Sequence, residues 1–202
     1  MSKNSDLSKI RDKIDSLDNQ ILSLLNDRAE LAIQAGQAKE DSIKYKPARE
    51  SSILKRVMDL NEGPLESEQV KNVFNEIISS CRSTESTFTI SYLGPEGTFS
   101  ESALQGQFGK SVDKIPEETI RSIFESVDRG ESDFGIVPIE NSTEGSVNST
   151  LDCLSEFNLK ICGEIEMEIH HNLLGHNKPL PKEGFEIHAH EQTLGQCRVW
   201  FC

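Results

Sequence analysis

The stretch Leu7-Ser8-Lys9-Ile10-Arg11-Asp12-Lys13-Ile14-Asp15-Ser16-Leu17-Asp18-Asn19-Gln20-Ile21-Leu22-Ser23-Leu24 carries apolar residues at Leu7, Ile10, Ile14, Leu17, Ile21 and Leu24, in alternating steps of three and four. That is a heptad seam, and it continues through Leu31, Ala35 and Ala38. Neither Pro nor Gly interrupts it before Gly36, so a helix is predicted from about Asp6 to about Ser42, roughly 55 Å at ~1.5 Å per residue. A helix of that length with one apolar stripe needs a partner.

Lys46-Pro47 breaks the pattern. A second helix is predicted with Ile53, Leu54, Val57 and Leu60 on one face, ended by Asn61-Glu62-Gly63-Pro64. A third carries Val70, Val73, Phe74, Ile77, Ile78 and Cys81, and fades in the polar run Ser83-Thr84-Glu85-Ser86-Thr87. Beyond it Phe88, Ile90 and Tyr92 alternate with Thr and Ser, the pattern of a half-buried strand, and Gly94-Pro95-Glu96-Gly97 is a turn. Helical stretches near Ser100 to Phe108, Thr119 to Val127 and Ser146 to Leu154 alternate with extended ones at Phe134 to Ile139, Leu159 to Ile169 and Phe185 to His188. The expected fold class is α plus α/β: an all-helical domain over residues 1–87, then an α/β domain over 88–202 with a largely parallel sheet. A last helix is expected to reach Val199-Trp200-Phe201-Cys202 with an apolar face and no cap. Residues 88–202 are therefore expected to be the first part of a longer domain, the chain being a fragment.

Lys and Arg total 21 against 34 Asp and Glu, a net charge of −13, which disfavours nucleic acid and anionic membrane surfaces as partners. The imbalance is uneven: residues 1–87 hold 13 basic and 15 acidic side chains, residues 88–202 hold 8 and 19. An anionic ligand is better received by the first half. No run of ~20 apolar residues is present, and the five cysteines form no C-x-x-C pair, so a cytoplasmic protein without disulfides is expected.

Arg28 occupies the seam, seven residues after Ile21 and seven before Ala35. Its helical neighbours Leu24, Leu25, Leu31 and Ala32 are uncharged, so an anion must reach it from elsewhere. Lys39, eleven residues on, shares its face to within about 20°. Arg11 flanks the same seam, and Arg49 opens the second helix with no acid at three or four residues. Snorkelling past the seam, with Asp15 near Arg11, or a coiled-coil register pair could also account for such cations. A pocket for a small dianion between packed helices accounts for all four.

Ile10-Arg11-Asp12-Lys13-Ile14, Asp27-Arg28-Ala29-Glu30-Leu31-Ala32, Gly36-Gln37-Ala38-Lys39 and Ala48-Arg49-Glu50 resemble the all-helical class of chorismate mutase, over residues 7 to 86. The resemblance implies three helices per chain interlocked as a homodimer that binds chorismate. It implies Arg28 and Arg49 as substrate ligands within one chain, Arg11 reaching the partner's site, Lys39 and Glu85 as donors to the breaking ether oxygen, and Glu50 on the substrate hydroxyl. Lys46 stands where some members have Asp, and Cys81 where some have Ser. The rearrangement to prephenate is pericyclic and needs no nucleophile, metal or cofactor. Arg clamps hold the compact conformer, and preplaced donors meet the charge that grows on the ether oxygen. Glu85 donates only when protonated, so activity is expected to fall as pH rises.

Tyr92-Leu93-Gly94-Pro95-Glu96-Gly97-Thr98-Phe99-Ser100, Gly135-Ile136-Val137-Pro138-Ile139-Glu140-Asn141-Ser142-Thr143-Glu144-Gly145 and His170-His171-Asn172-Leu173 resemble the prephenate dehydratase family. That implies two α/β lobes like a periplasmic binding protein, with prephenate in the cleft. Thr98, Ser100, Asn141 and Ser142 are the candidate ligands, although turn and cap roles explain the same residues locally. His188-Ala189-His190-Glu191-Gln192 stands where the family shows Ser-His-Pro-Gln, which carries over Gln192. The family's Thr-Arg-Phe motif occurs nowhere in these residues, so little dehydratase activity is expected of them. His170, His171, His176, His188 and His190 lack the paired spacing of a zinc site, and no metal is expected. A helical dimerisation module displaying a small-acid binding lobe, without catalysis, is the alternative.

Overall fold

A computed structural model describes residues 2–38, 47–142, 145–175, 186–189 and 191–200. The seam forms one helix, α1 (Ser2–Gln37), of 36 residues, about 54 Å long. The expectation that it runs on to Ser42 falls on residues 39–46, outside the described ones. Its stripe faces outward: Leu17 is 55%, Ile21 53% and Leu24 66% exposed. Pro47 opens α2 (Pro47–Asp59), where its missing N–H costs nothing. Asn61 Nδ2 then donates to the Leu65 carbonyl at 2.7 Å and closes the turn into α3 (Ser67–Ser83). The Glu66 N–H donates to Gln69 Oε1 at 2.9 Å and satisfies one free group at the start of α3. α3 packs on both α1 and α2 and buries Val70, Ile78 and Cys81.

Strand β1 (Thr89–Leu93) follows, then α4 (Phe99–Phe108), β2 (Asp113–Glu117), α5 (Ile120–Asp128) and β3 (Phe134–Ile136). The strands form a parallel sheet in the order β2-β1-β3, so each crossover carries a helix, as parallel pairing demands. A two-stranded antiparallel ribbon comes next, β4 (Glu140–Asn141) with β5 (Gly145–Ser146), then α6 (Asn148–Glu156) and, later, α7 (Glu191–Gln196). The core gathers Phe88, Ile90, Tyr92, Leu104, Phe108 and Val112 with Phe134 and Ile136. Phe134 meets Phe88 edge-on at 5.3 Å and Phe108 at 5.5 Å between ring centroids.

Four expectations need correction. β1 is buried on both faces, not one, because the crossover helices α4 and α5 both pack against it; Ser91 is fully enclosed, its hydroxyl 2.5 Å from Ser132 Oγ and 3.0 Å from Ser126 Oγ. β2 was not expected: it carries Asp113, Lys114 and Pro116, and only its place at the sheet edge tolerates them. The extended stretch Leu159 to Ile169 joins no ladder among the described residues, since a β pattern becomes a strand only beside a paired neighbour; of the stretch from Phe185 to His188, residues 186–188 are described and are also unpaired. The last helix stops at Gln196, and Phe201 and Cys202 lie outside the described residues.

The helices and the sheet unit touch through α3. Asn75 Nδ2 donates to the Gly106 carbonyl at 2.8 Å, the Lys110 N–H to Glu76 Oε2 at 3.2 Å, and Arg82 to the Phe108 carbonyl at 2.7 Å. Among the described residues no helix is long and apolar enough to cross a membrane, and Cys81, Cys153, Cys162 and Cys197 are free thiols.

Candidate functional site

Two places collect the candidate residues. The first lies at the end of α3, which meets the start of α2, and in the turn after it, which meets the end of α1. Glu50, with 17% of its side chain exposed, accepts from Arg82 Nη1 at 2.6 Å, which ties the first turn of α2 to the last turn of α3. Arg49 is exposed beside it, and the unbonded N–H groups of that first turn share its preference for anions. Cys81 is buried, adjoining Arg82.

Glu85, half-buried in the turn after α3, lays its carboxyl group on Gly36 of α1: a Cβ added at Gly36 would stand 2.4 Å from Glu85 Oε2. Only glycine allows this approach. Arg28 is half-buried on α1 eight residues earlier, about 12 Å along the axis. Arg11 is exposed a further seventeen residues back, about 25 Å from Arg28. Lys39 and Lys46 lie outside the described residues.

Sequence reasoning missed Arg82. The signal was present, since Phe74, Ile78 and Arg82 are spaced by four and the first two face the core, so a cation falls on a buried stripe. Its partners, 32 and 26 residues away, carry no local mark.

The second place is at the carboxyl ends of β1 and β3, where open parallel sheets receive ligands. Thr98 stands five residues after β1 and Asn141 five after β3. Thr98 caps α4: its hydroxyl donates to the Leu93 carbonyl at 3.1 Å and accepts from the Glu101 N–H at 3.4 Å. Ser100 is half-buried in the first turn of α4, Asn141 is half-buried in β4, and Ser142 is exposed after it. Gln192 lies in α7, its side chain outside the described set. His171 sits edge-on to Phe99, 5.8 Å between ring centroids, with Nε2 2.6 Å from Gln196 Oε1. The His170 segment thereby comes beside the Gly94–Ser100 turn. Among the described residues no group of three metal-ligating side chains forms, and His176 and His190 lie outside them.

A cleft of about 440 Å³ opens at this same end between Leu93, Thr119, Arg121, Ser149, Asp152 and Glu156. None of the candidates lines it. Arg121 is already bonded to Glu156, so the cleft is poorly charged for a dianion.

The Gly94–Thr98 turn is held by Glu101. Its carboxylate accepts from the Gly97 N–H at 2.7 Å, Lys114 Nζ at 2.5 Å and Gln105 Nε2 at 3.1 Å. The Gly97 bond first, and Lys114 second, hold Glu101 below the usual carboxylate range, and Glu101 in turn pushes Lys114 up. A lowered folded value contributes stability that is complete above the unfolded value of about 4.3 and is lost as pH falls through the folded one. Amide exchange at Gly97 is therefore expected to speed up on acidification below about pH 4, over and above its intrinsic rate. In Glu101→Gln that acid-induced loss of protection should vanish; an unchanged acid response would place its cause elsewhere.

Residues 10–86 match the family model described as chorismate mutase type II, and residues 90–202 the one described as prephenate dehydratase. A Stutzerimonas stutzeri protein named bifunctional chorismate mutase/prephenate dehydratase is 44% identical over 207 residues, covering 99% of this chain and 57% of that protein. A Pseudomonas aeruginosa protein of the same name is 42% identical with the same coverage, and an Escherichia coli K12 one is 28% identical over 98% of the chain and 56% of its own length. The chain thus spans a little over half the length of these curated relatives. With both matches in the order in which its two sites occur, the chain belongs to the prephenate dehydratase family through residues 90–202 and carries a type II chorismate mutase region, residues 10–86, ahead of it.

Proposed function

We propose that residues 1–87 form a chorismate mutase domain, and residues 88–202 a separate domain belonging to a unit that takes the prephenate so formed. In this reading Arg28 and Arg49 hold the two substrate carboxylates, Glu50 holds the hydroxyl, and Lys39 with Glu85 stabilise the charge growing on the ether oxygen. The observation that carries it is the seat of Glu85 on Gly36, three residues before Lys39 and eight after Arg28. Thr98, Ser100, Asn141, Ser142 and Gln192 are assigned to prephenate. A cytoplasmic location belongs to the same reading and suits the reduced thiols.

The site needs a second copy. Arg11 lies about 25 Å along α1 from Arg28, too far to serve the same pocket within one chain, and the exposed seam from Leu7 to Leu24 is the surface a second α1 would cover. The test is loss of chorismate absorbance by the purified chain, with phenylpyruvate assayed in the same tube and the oligomeric state by sedimentation. Turnover by a dimer supports the reading. A folded dimer without turnover overturns it in favour of a binding module.

Two variants separate position from chemistry. Gly36→Ala displaces only the flexible end of Glu85, so stability is expected to hold within about 1 kcal/mol, while misplacement of a catalytic group by ~1 Å lowers kcat on the order of a hundredfold. Glu85→Gln keeps a hydrogen-bond donor in the same place, so activity is expected to persist where Gly36→Ala loses it. A Glu85→Gln variant as inactive as Gly36→Ala would remove Glu85 as a donor.

A further inference from the structure

Arg82 occupies a place on α3 where the helix otherwise buries apolar side chains, and it is only 9% exposed. Its guanidinium is spread over two parts of the molecule. Nη1 donates to Glu50 Oε1 at 2.6 Å, and Nη2 to the Phe108 carbonyl at 2.7 Å. The group also lies over two rings of the sheet core, 5.2 Å from the centroid of Phe88 and 6.0 Å from that of Phe108. Phe108 ends α4, so its carbonyl is one that the helix cannot bond itself.

The seat is built from the other side as well. The chain leaves α4 through Gly109 at φ +74°, a left-handed conformation natural to glycine, and a Cβ there would stand 2.4 Å from the Ser79 Cβ. Ser79, one helical turn before Arg82, is 1% exposed. A buried cation is costly unless its bonds are met, and the planar fork of arginine meets two acceptors at a fixed angle where a lysine ammonium would be a single point.

We propose that Arg82 is a positioning residue of the mutase site, fixing the Glu50 carboxylate from a seat on the sheet unit. The proposal rests on the reading above, in which Glu50 accepts the substrate hydroxyl. With Oε1 held by Arg82, the carboxylate is tethered and Oε2 is left to accept the substrate hydroxyl. Without Arg82, Glu50 regains rotamer freedom that substrate binding must remove again. The α4 end of the sheet unit thus takes part in shaping a site on the helices, although it touches no substrate.

The test compares chorismate kinetics of the full 202-residue chain with Arg82→Met, Arg82→Lys, Glu50→Gln and the double variant Arg82→Met/Glu50→Gln, each checked for folding by circular dichroism. Loss of one bond to a charged group predicts a kcat/KM about tenfold lower for Arg82→Met. The change should lie mainly in KM, because the hydroxyl gains no charge during the rearrangement. Added to Glu50→Gln, the same substitution should cost less than about twofold, since no carboxylate remains to be positioned. Arg82→Lys, which keeps the charge but reaches one acceptor, should fall between, and carries the same comparison if Arg82→Met does not fold. Equal losses in both backgrounds would make Arg82 a structural brace and overturn the proposal. A loss in Glu50→Gln without one in folded Arg82→Met or Arg82→Lys removes this proposal alone. Parental kinetics in Glu50→Gln removes the Glu50 assignment and this proposal with it.

Discussion

Arg28→Ala is expected to reduce kcat/KM for chorismate by about a hundred- to a thousandfold, while leaving the protein folded. The magnitude follows from the bond type: a charge-assisted contact is worth about 1.5–3 kcal/mol, more when the fork is bidentate, and about 1.4 kcal/mol is tenfold. The fold should survive because Arg28 is half-buried on a helix and Ala is the better helix former. Among the described residues no acidic side chain lies within ion-pairing distance of Arg28. Absorbance loss at several substrate concentrations, with sedimentation to compare the oligomeric state of variant and parent, decides the matter. A variant retaining a tenth or more of the parent's kcat/KM would take the main carboxylate clamp away from Arg28.

Ile90→Ala is expected to cost the sheet unit about 2–5 kcal/mol, read as a lower urea midpoint of the transition followed by Trp200 or amide exchange. Ile90 is fully buried in β1, in one apolar cluster with Leu104 and Phe108, and the sheet has three strands among the described residues. A close-packed interior closes only in part over the cavity left by three lost carbons. A cost below about 1 kcal/mol would mean that the strand is looser than its burial indicates.

The helices were legible because their signal is local. Steps of three and four over Leu7 to Leu24, Pro47 at a helix start and the polar run after Cys81 each act within a few residues, as does the Thr98 cap on α4. Motif order served the family in the same way. The strands were read less well. β1 is announced by its own residues, but β2, with Lys114 and Pro116, is a strand only because β1 lies beside it. Leu159 to Ile169 has the pattern and, among the described residues, no neighbour.

What the sequence alone determined, then, is the order of a helical region and an α/β region, the long apolar seam of α1, and the set of cations without local acids. What the tertiary structure decided is where those side chains stand. Glu85 meets α1 because Gly36, 49 positions away in the chain, leaves room for its carboxyl group. Arg82 binds Glu50 and Phe108 across 32 and 26 residues. Ser91 is enclosed because two other serines meet its hydroxyl from α5 and the turn beyond it. Periodicity is a property of neighbours along the chain, whereas a hydrogen-bond partner, a close approach or a strand pairing is a property of distance in space, which only the folded chain defines.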